Sequence, residues 1–468
     1  MDLEKFMNRK IVQKFMKYYG GRGKKRVEEL FIEDKEKGLG PLLGRIPLRI
    51  AINAGMKKIG LPPGMRKQFY SRHFHRQTLL NVMRTVGKHG LKQPFRFDGP
   101  AIIVWNFTNR CNLRCRHCYQ TAGDLLKDEL SFEEKIDLIN QMVDANVSYL
   151  AFSGGEPLMG ERFWDVLRYA SKFLHTSIAT NGTLMSDPRV VDRLADCGAW
   201  NVFVSLDGVD EESNDYIRGK RSLKKTLKGL ENLAANKYVK CGVNTVVTRR
   251  NLHEVSKILE LCAEMGVNSF SHYNFIPTGR GKKDFELDLT PNEREDLLNL
   301  LYKWHETRDQ HGLSIISTCP AYARVLYDST KGETGGMFHY TADAGTAVKG
   351  VIKYAGGCGA GRVYAAVQPN GKMSPCVFMP TVIIGDTRKQ KLIDIWQNSE
   401  LCQKLSDRES YHHTCRYRYI CRGCRARALA YGDILGPDPG CAVYDKSRKK
   451  QQESEYKQGE KEKLVFSN

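Results

Sequence analysis

Residues 101–119, AIIVWNFTNRCNLRCRHCY, join an apolar run to a loop with cysteines at 111, 115 and 118. Ala101–Thr108 has the length and composition of a buried strand. The three thiols follow it at once, where a strand hands over to a loop. Three thiolates from one short loop can hold three corners of a four-iron cubane and leave the fourth iron open, as a substrate-binding cluster needs. A cluster that only carries electrons is usually held by four ligands. A structural zinc loop is the competing reading, but such sites usually pair two CxxC-like halves and close the fourth position.

Working outward, residues 99–280 alternate between strand and helix patterns. Ser131-Phe-Glu-Glu134 is a capping box that opens a helix running to about Asn146. Strands are expected at Tyr149–Ser153, Thr176–Thr180, Trp200–Leu206, Cys241–Thr248 and Ser269–Ile276. Helices are expected at Glu161–Phe173, from Asp187 or Pro188 to near Gly198, at Leu223–Asn236 and at Leu252–Gly266. Strand–helix units with short links predict an α/β fold, a parallel sheet curled into a partial (β/α)6 TIM-like barrel. Active sites of such sheets lie at the C-terminal ends of the strands.

CxxxCxxC directly after the first strand resembles the signature of the radical S-adenosylmethionine (SAM) superfamily. That resemblance implies a [4Fe–4S] cluster on Cys111, Cys115 and Cys118 whose open iron chelates SAM. One electron then breaks a carbon–sulfur bond of the sulfonium, and the resulting 5′-deoxyadenosyl radical takes a hydrogen atom from the substrate. The supporting motifs stand where the family has them. Ser153-Gly154-Gly155-Glu156-Pro157 ends the second strand, and Glu156 or exposed backbone is expected to take the amino group of SAM. Asn181 after the third strand, with Ser205 and Asp207 after the fourth, are expected near the ribose and the methionine carboxylate. Arg218 resembles a carboxylate- or substrate-facing arginine, and Ile276 the residue packed on adenine. Asn-Gly and Asp-Gly are also ordinary turn formers.

A second group of cysteines lies near the C-terminus: Cys358, Cys376, Cys415, Cys421, Cys424 and Cys441. Pro369-Asn370-Gly371-Lys372 reads as a hairpin turn that delivers Cys376. The group resembles the SPASM extension of radical SAM enzymes, which implies one or two auxiliary [4Fe–4S] clusters; zinc is the alternative for six soft ligands. The fuller family pattern has a CxxC where this chain has His412-His-Thr-Cys415. Crossed ligation, if it carries over, assigns Cys415, Cys421 and Cys441 to one cluster with His412 as candidate fourth ligand. It assigns Cys358, Cys376 and Cys424 to the other, with an open position or a ligand such as Cys319. A single auxiliary cluster is the alternative. Cys424-Arg-Ala-Arg-Ala and Gly432–Cys441 resemble heme-synthesis members of the group such as siroheme decarboxylase. The resemblance spans residues 99–445.

The remaining features bound partners and location. Of the 468 residues, 41% are hydrophobic, yet no apolar run is long enough to span a bilayer, and the N-terminus lacks a signal-peptide block, so a cytoplasmic protein is expected. Net charge is +20, and residues 1–100 hold 23 Lys and Arg against 8 Asp and Glu. This asymmetry suggests an anionic partner. Domains are expected at 1–98 (basic amphipathic helical leader), 99–280 (barrel), 281–345 (helical connector), 346–445 (SPASM) and 446–468 (charged disordered tail). Short basic-amphipathic helices suit a protein lying peripherally on an anionic membrane and acting on an apolar or membrane-associated organic substrate. Tetrapyrrole modification and peptide modification are alternatives. A nucleic-acid binder is ranked last, because the leader has no recognisable recognition module. Radical SAM chemistry further implies an electron donor such as ferredoxin or flavodoxin, and an anaerobic host.

Overall fold

The computed structural model of the chain describes residues 3–20, 73–333, 354 and 356–444. Seven strands lie side by side in chain order, all parallel: β1 (Ile102–Thr108), β2 (Tyr149–Gly154), β3 (His175–Thr180), β4 (Asn201–Ser205), β5 (Lys240–Val247), β6 (Ser269–Asn274) and β7 (Ser314–Ser317). On the other side of β1, β8 (Tyr364–Val367) pairs with it in parallel, and β9 (Lys372–Ser374) and β10 (Gly385–Asp386) follow antiparallel. The ten strands form one open row, so the barrel is partial. The six expected strands are present in order. β7 comes from the segment read as a connector, and β8–β10 from the Cys-rich segment.

Helices pack on the outer face. The Ser131 capping box forms as expected: Ser131 accepts from Glu134 N, Glu134 accepts from Ser131 N, and the helix runs Phe132–Asp144. Alternation along the strands separates two environments. Ile103, Trp105, Phe107, Leu150, Phe152, Ile178, Val202 and Val204 point into the main core under the helices. Phe107 meets Trp105, Phe152 and Phe163 edge to face at 5.0, 5.8 and 5.4 Å. Each such side chain contributes about 1.5–3 kcal/mol by leaving water. The opposite positions are smaller or polar (Ala151, Ser153, Ala179, Ser205, Asn244) and leave a cavity inside the curl of the sheet.

The described part of the leader folds onto this body. The Lys10–Gly20 and His73–His89 helices pack together, and Met7 and Met16 lie against a buried group that includes Val86, Phe95, Phe97 and Tyr354. Asn8 donates to Leu91 O and accepts from Leu91 N, at 3.0 and 2.7 Å. The expected amphipathic stretch at 42–61 and the charged tail at 446–468 lie outside the described residues. Among the described residues no helix is long and apolar enough to cross a membrane.

Candidate active site

The cavity, about 170 Å³, opens at the C-terminal ends of the strands, and Cys111, Cys115 and Cys118 line it together. Gly154, Gly155, Asn181, Ser205, Arg218 and Ile276 line the same cavity. Six residues that sequence motifs place in five separate segments are thus brought to one space with the three thiols. The close backbone approach explains the glycines: a Cβ on Gly155 would stand 2.2 Å from Arg110 O, inside the cysteine loop.

Three expected residues do not line the cavity. Glu156 is fully buried and turns the other way. Its carboxylate accepts from Thr180 Oγ1 at 2.9 Å, from Asn181 N at 2.8 Å and from Leu158 N at 3.3 Å. Burial pushes its pKa up to about 7, opposed by these three donors. Glu156 therefore fixes the β3 loop, and Ser153, Gly154 and Gly155 are what face the cavity from this motif. Pro157 is buried at the start of a single 3₁₀ turn, Pro157–Met159. Asp207 is buried behind the wall, where its Oδ2 meets Arg218 Nε at 2.7 Å and His117 Nε2 at 3.2 Å. Burial raises the pKa of this carboxyl, and the Arg218 and His117 charges more than offset that, holding it at about 2.

Several contributors escaped sequence reasoning. His117 sits between two of the cysteines yet serves Asp207. Asn112 accepts from Asn181 Nδ2 at 2.7 Å and donates to Thr183 Oγ1 at 2.8 Å, tying the cysteine loop to β3. Arg280 clamps the loop from after β6: its N donates to Cys118 O at 2.8 Å, and its guanidinium to Cys115 O at 2.6 Å and to Ala122 O. The far wall is Tyr119, Tyr273, Phe378, Val377 and Tyr364, two of them strand-and-loop residues of the barrel and three from the Cys-rich segment. A clustering of Gly-Arg-Gly after a strand was the only available signal for Arg280.

The donor set fits an iron–sulfur cluster. Soft thiols suit iron, and burial raises the pKa of Cys111 and pushes that of Cys115 up to about 12, with Arg218 opposing the shift at Cys115. Binding iron would release those protons. Leu113 N and Ala122 N donate to the sulfurs of Cys111 and Cys118, each at 3.4 Å. Such N–H···S bonds stabilise thiolate charge. Among the described residues no three Cys, His, Asp or Glu side chains gather tightly enough to hold a single metal ion. Three thiols lining one cavity can hold three corners of a cubane.

The second group of cysteines divides in two. Cys415, Cys421 and Cys441 line a cavity of about 280 Å³ with Arg324, Arg408 and Arg422. Tyr417 N and Gly423 N donate to the sulfurs of Cys415 and Cys421 at 3.4 Å, repeating the geometry of Cys111. Arg408 Nε and Nη1 are buried without hydrogen-bond partners. Burial, with Arg422 and Arg362 nearby, pushes its pKa down to about 8. An anionic cluster would compensate these cations. Cys358, Cys376 and Cys424 line a separate, narrow cavity of about 10 Å³. Tyr364 OH donates to Cys376 Sγ at 2.8 Å there. The expected fourth ligands are elsewhere. His412 is exposed, its Nδ1 2.8 Å from Asp433 Oδ2. Cys319 is buried in the neighbourhood of Cys421 and is not among the residues lining the Cys358 cavity.

Comparison with known proteins agrees with this geometry. Residues 105–262 match the Radical SAM superfamily, and residues 358–425 match the SPASM iron–sulfur cluster-binding domain. The AdoMet-dependent heme synthase of Methanosarcina barkeri is 32% identical over 75% of this chain and 99% of its own length. The mycofactocin maturase MftC of Mycobacterium tuberculosis is 31% identical over 74% of this chain and 83% of its own. The crystal structure of Streptococcus suis SuiB bound to S-adenosylmethionine shares the fold, with a TM-score of 0.60 and 17% identity over 90% of this chain and 93% of that one. A SAM-binding [4Fe–4S] cluster and auxiliary iron–sulfur clusters come with these two domains. The chain is therefore a member of the radical SAM superfamily, in the group that carries a C-terminal SPASM domain.

Proposed function

We propose that this enzyme abstracts a hydrogen atom from an organic substrate with an apolar body, seated between the barrel and the SPASM domain. The observation that carries this reading is the single cavity that has the three thiols and the SAM motifs on one side and Tyr119, Tyr273, Val377 and Phe378 on the other. When bound, the cluster supplies the electron that splits SAM and hence the oxidising power for abstraction. Cys111, Cys115 and Cys118 would hold it. The backbone of Gly154 and Gly155, with Asn181 and Ser205, would orient SAM, and Ile276 would pack on its adenine. Arg218 places a cation beside Cys115. The aromatic wall excludes water and stray hydrogen donors.

A carboxylated iron tetrapyrrole is the second reading, favoured by the heme synthase relative that this chain matches over nearly its whole length. Peptide modification has the support of the maturase relative. The reaction needs an external one-electron donor of the ferredoxin or flavodoxin class, and the basic leader suits docking on an anionic bilayer. Anaerobic enzyme with SAM and a reductant, offered in turn a cell-lipid extract, an iron tetrapyrrole carboxylate and a peptide pool, tests the class. The expected result is 5′-deoxyadenosine formation stimulated by one class and weakened in Phe378→Ala. Stimulation by none of them, or stimulation unchanged in Phe378→Ala, would contradict a substrate seated in this cavity.

A further inference from the structure

The cavity beside Cys415, Cys421 and Cys441 has three thiols and one imidazole. His413 lines it with them. Its Nδ1 is buried and has no hydrogen-bond partner. A buried imidazole nitrogen left unpaired is costly, so native structures normally pair it with protein, water or a metal. The ring is flanked on two sides, with the centroids of Tyr411 and Tyr444 at 6.1 and 6.2 Å. His412 and His413 point different ways: His412 faces out to Asp433, while His413 lines the cavity.

We propose that His413, not His412, completes the ligand set of the auxiliary cluster held by Cys415, Cys421 and Cys441, giving a three-cysteine, one-histidine site bound through Nδ1. The inference rests on the reading that these thiols hold a cluster. A neutral imidazole in place of a thiolate leaves the cluster one charge less negative and raises its reduction potential. Arg324, Arg408 and Arg422 around the same cavity act in the same direction, since cations stabilise the added electron. The site is thereby set to take an electron readily, as a substrate oxidation requires of its acceptor.

The test uses full-length protein carrying Cys111→Ala, Cys115→Ala and Cys118→Ala, which removes the SAM-binding cluster, labelled with nitrogen-15 only at histidine and reconstituted anaerobically. Pulsed EPR of the reduced protein should show nitrogen-15 hyperfine coupling. The coupling should persist in His412→Ala and Cys319→Ser and vanish in His413→Ala. His413→Cys should keep the iron content, lose the coupling and shift the potential downward, which separates ligation from a folding defect. Coupling that survives His413→Ala, or is absent while auxiliary iron is present, would overturn the assignment. Absence of auxiliary iron altogether would instead overturn the cluster reading beneath it, and the iron count tells the two apart.

Discussion

Arg218 Nε lies 2.7 Å from Asp207 Oδ2, with both side chains buried, and the Arg218 backbone carbonyl accepts from the Cys115 thiol at 3.7 Å. One residue thus links a buried carboxylate behind the wall to the cysteine loop in front of it. Arg116 N, which donates to Ile217 O at 2.8 Å, ties the same loop to the C-terminal end of the Glu211–Arg218 helix. Removing Arg218 takes from Asp207 the larger of its two cationic partners and leaves the buried carboxylate facing His117. Arg218→Ala is therefore expected to destabilise the iron-free protein by about 3–5 kcal/mol, and Arg218→Ala with Asp207→Asn by clearly less than the sum of the two single changes. Chemical denaturation of the four proteins measures this coupling.

The same pair sets a pH dependence. Asp207 is held at about 2 in the folded protein against 3.8 ordinarily. A carboxyl with a lowered folded-state pKa contributes stability that is present above the unfolded value and lost as pH falls through the folded one. The stability difference between wild type and Asp207→Asn should therefore be constant near neutrality and shrink as pH drops from about 4 towards 2. Melting temperatures of the iron-free proteins across that range check the sign.

Gly279 has φ +58°, and a Cβ there would stand 2.3 Å from Tyr119 O and 2.4 Å from Cys118 O. Gly279→Ala combines a backbone penalty with overpacking, about 1–3 kcal/mol in all. Because the clash falls on the cysteine loop and the neighbouring Arg280 clamp, loss should concentrate at the SAM-binding cluster. Iron counting is expected to show about four irons fewer per chain, with the auxiliary EPR signal retained.

Tyr364 OH donates to Cys376 Sγ and accepts from Val377 N, each at 2.8 Å. A hydrogen bond to a ligating sulfur raises the potential of its cluster. Tyr364→Phe should lower the potential of the cluster on Cys358, Cys376 and Cys424 and leave that on Cys415, Cys421 and Cys441 unchanged. Potentiometric EPR titration resolves the two. Total iron distinguishes about twelve per chain, with two auxiliary clusters, from about eight, with one.

Much of the barrel was legible because its signals are local. Ser131 and Glu134 announce a helix start within four residues, and the apolar strands between helices have few alternatives. β7 and β8 were not legible: β8 is four residues long, and its place beside β1 depends on pairing across more than 250 residues of chain. Cysteine spacing exposed both sulfur sites, since ligand geometry constrains it. Side-chain direction was the weak point. An acid beside turn glycines reads alike whether it faces a ligand, as expected of Glu156 and Asp207, or braces the turn from behind, as found. His412 and His413 differ only in which way an irregular loop points them. The role of Arg280 was hard to read because its partner, Cys115 O, lies 165 residues earlier.

The most direct measurement compares wild-type protein with Cys111→Ala/Cys115→Ala/Cys118→Ala, both reconstituted anaerobically, by EPR with and without SAM and by 5′-deoxyadenosine formation under reduction. A cubane signal that SAM perturbs, together with deoxyadenosine formation, is expected in the wild type, and both should be lost in the triple variant while auxiliary iron persists. Deoxyadenosine formation that survives the triple change, or a wild-type signal indifferent to SAM, would contradict a three-thiolate cluster with an open iron at the end of β1.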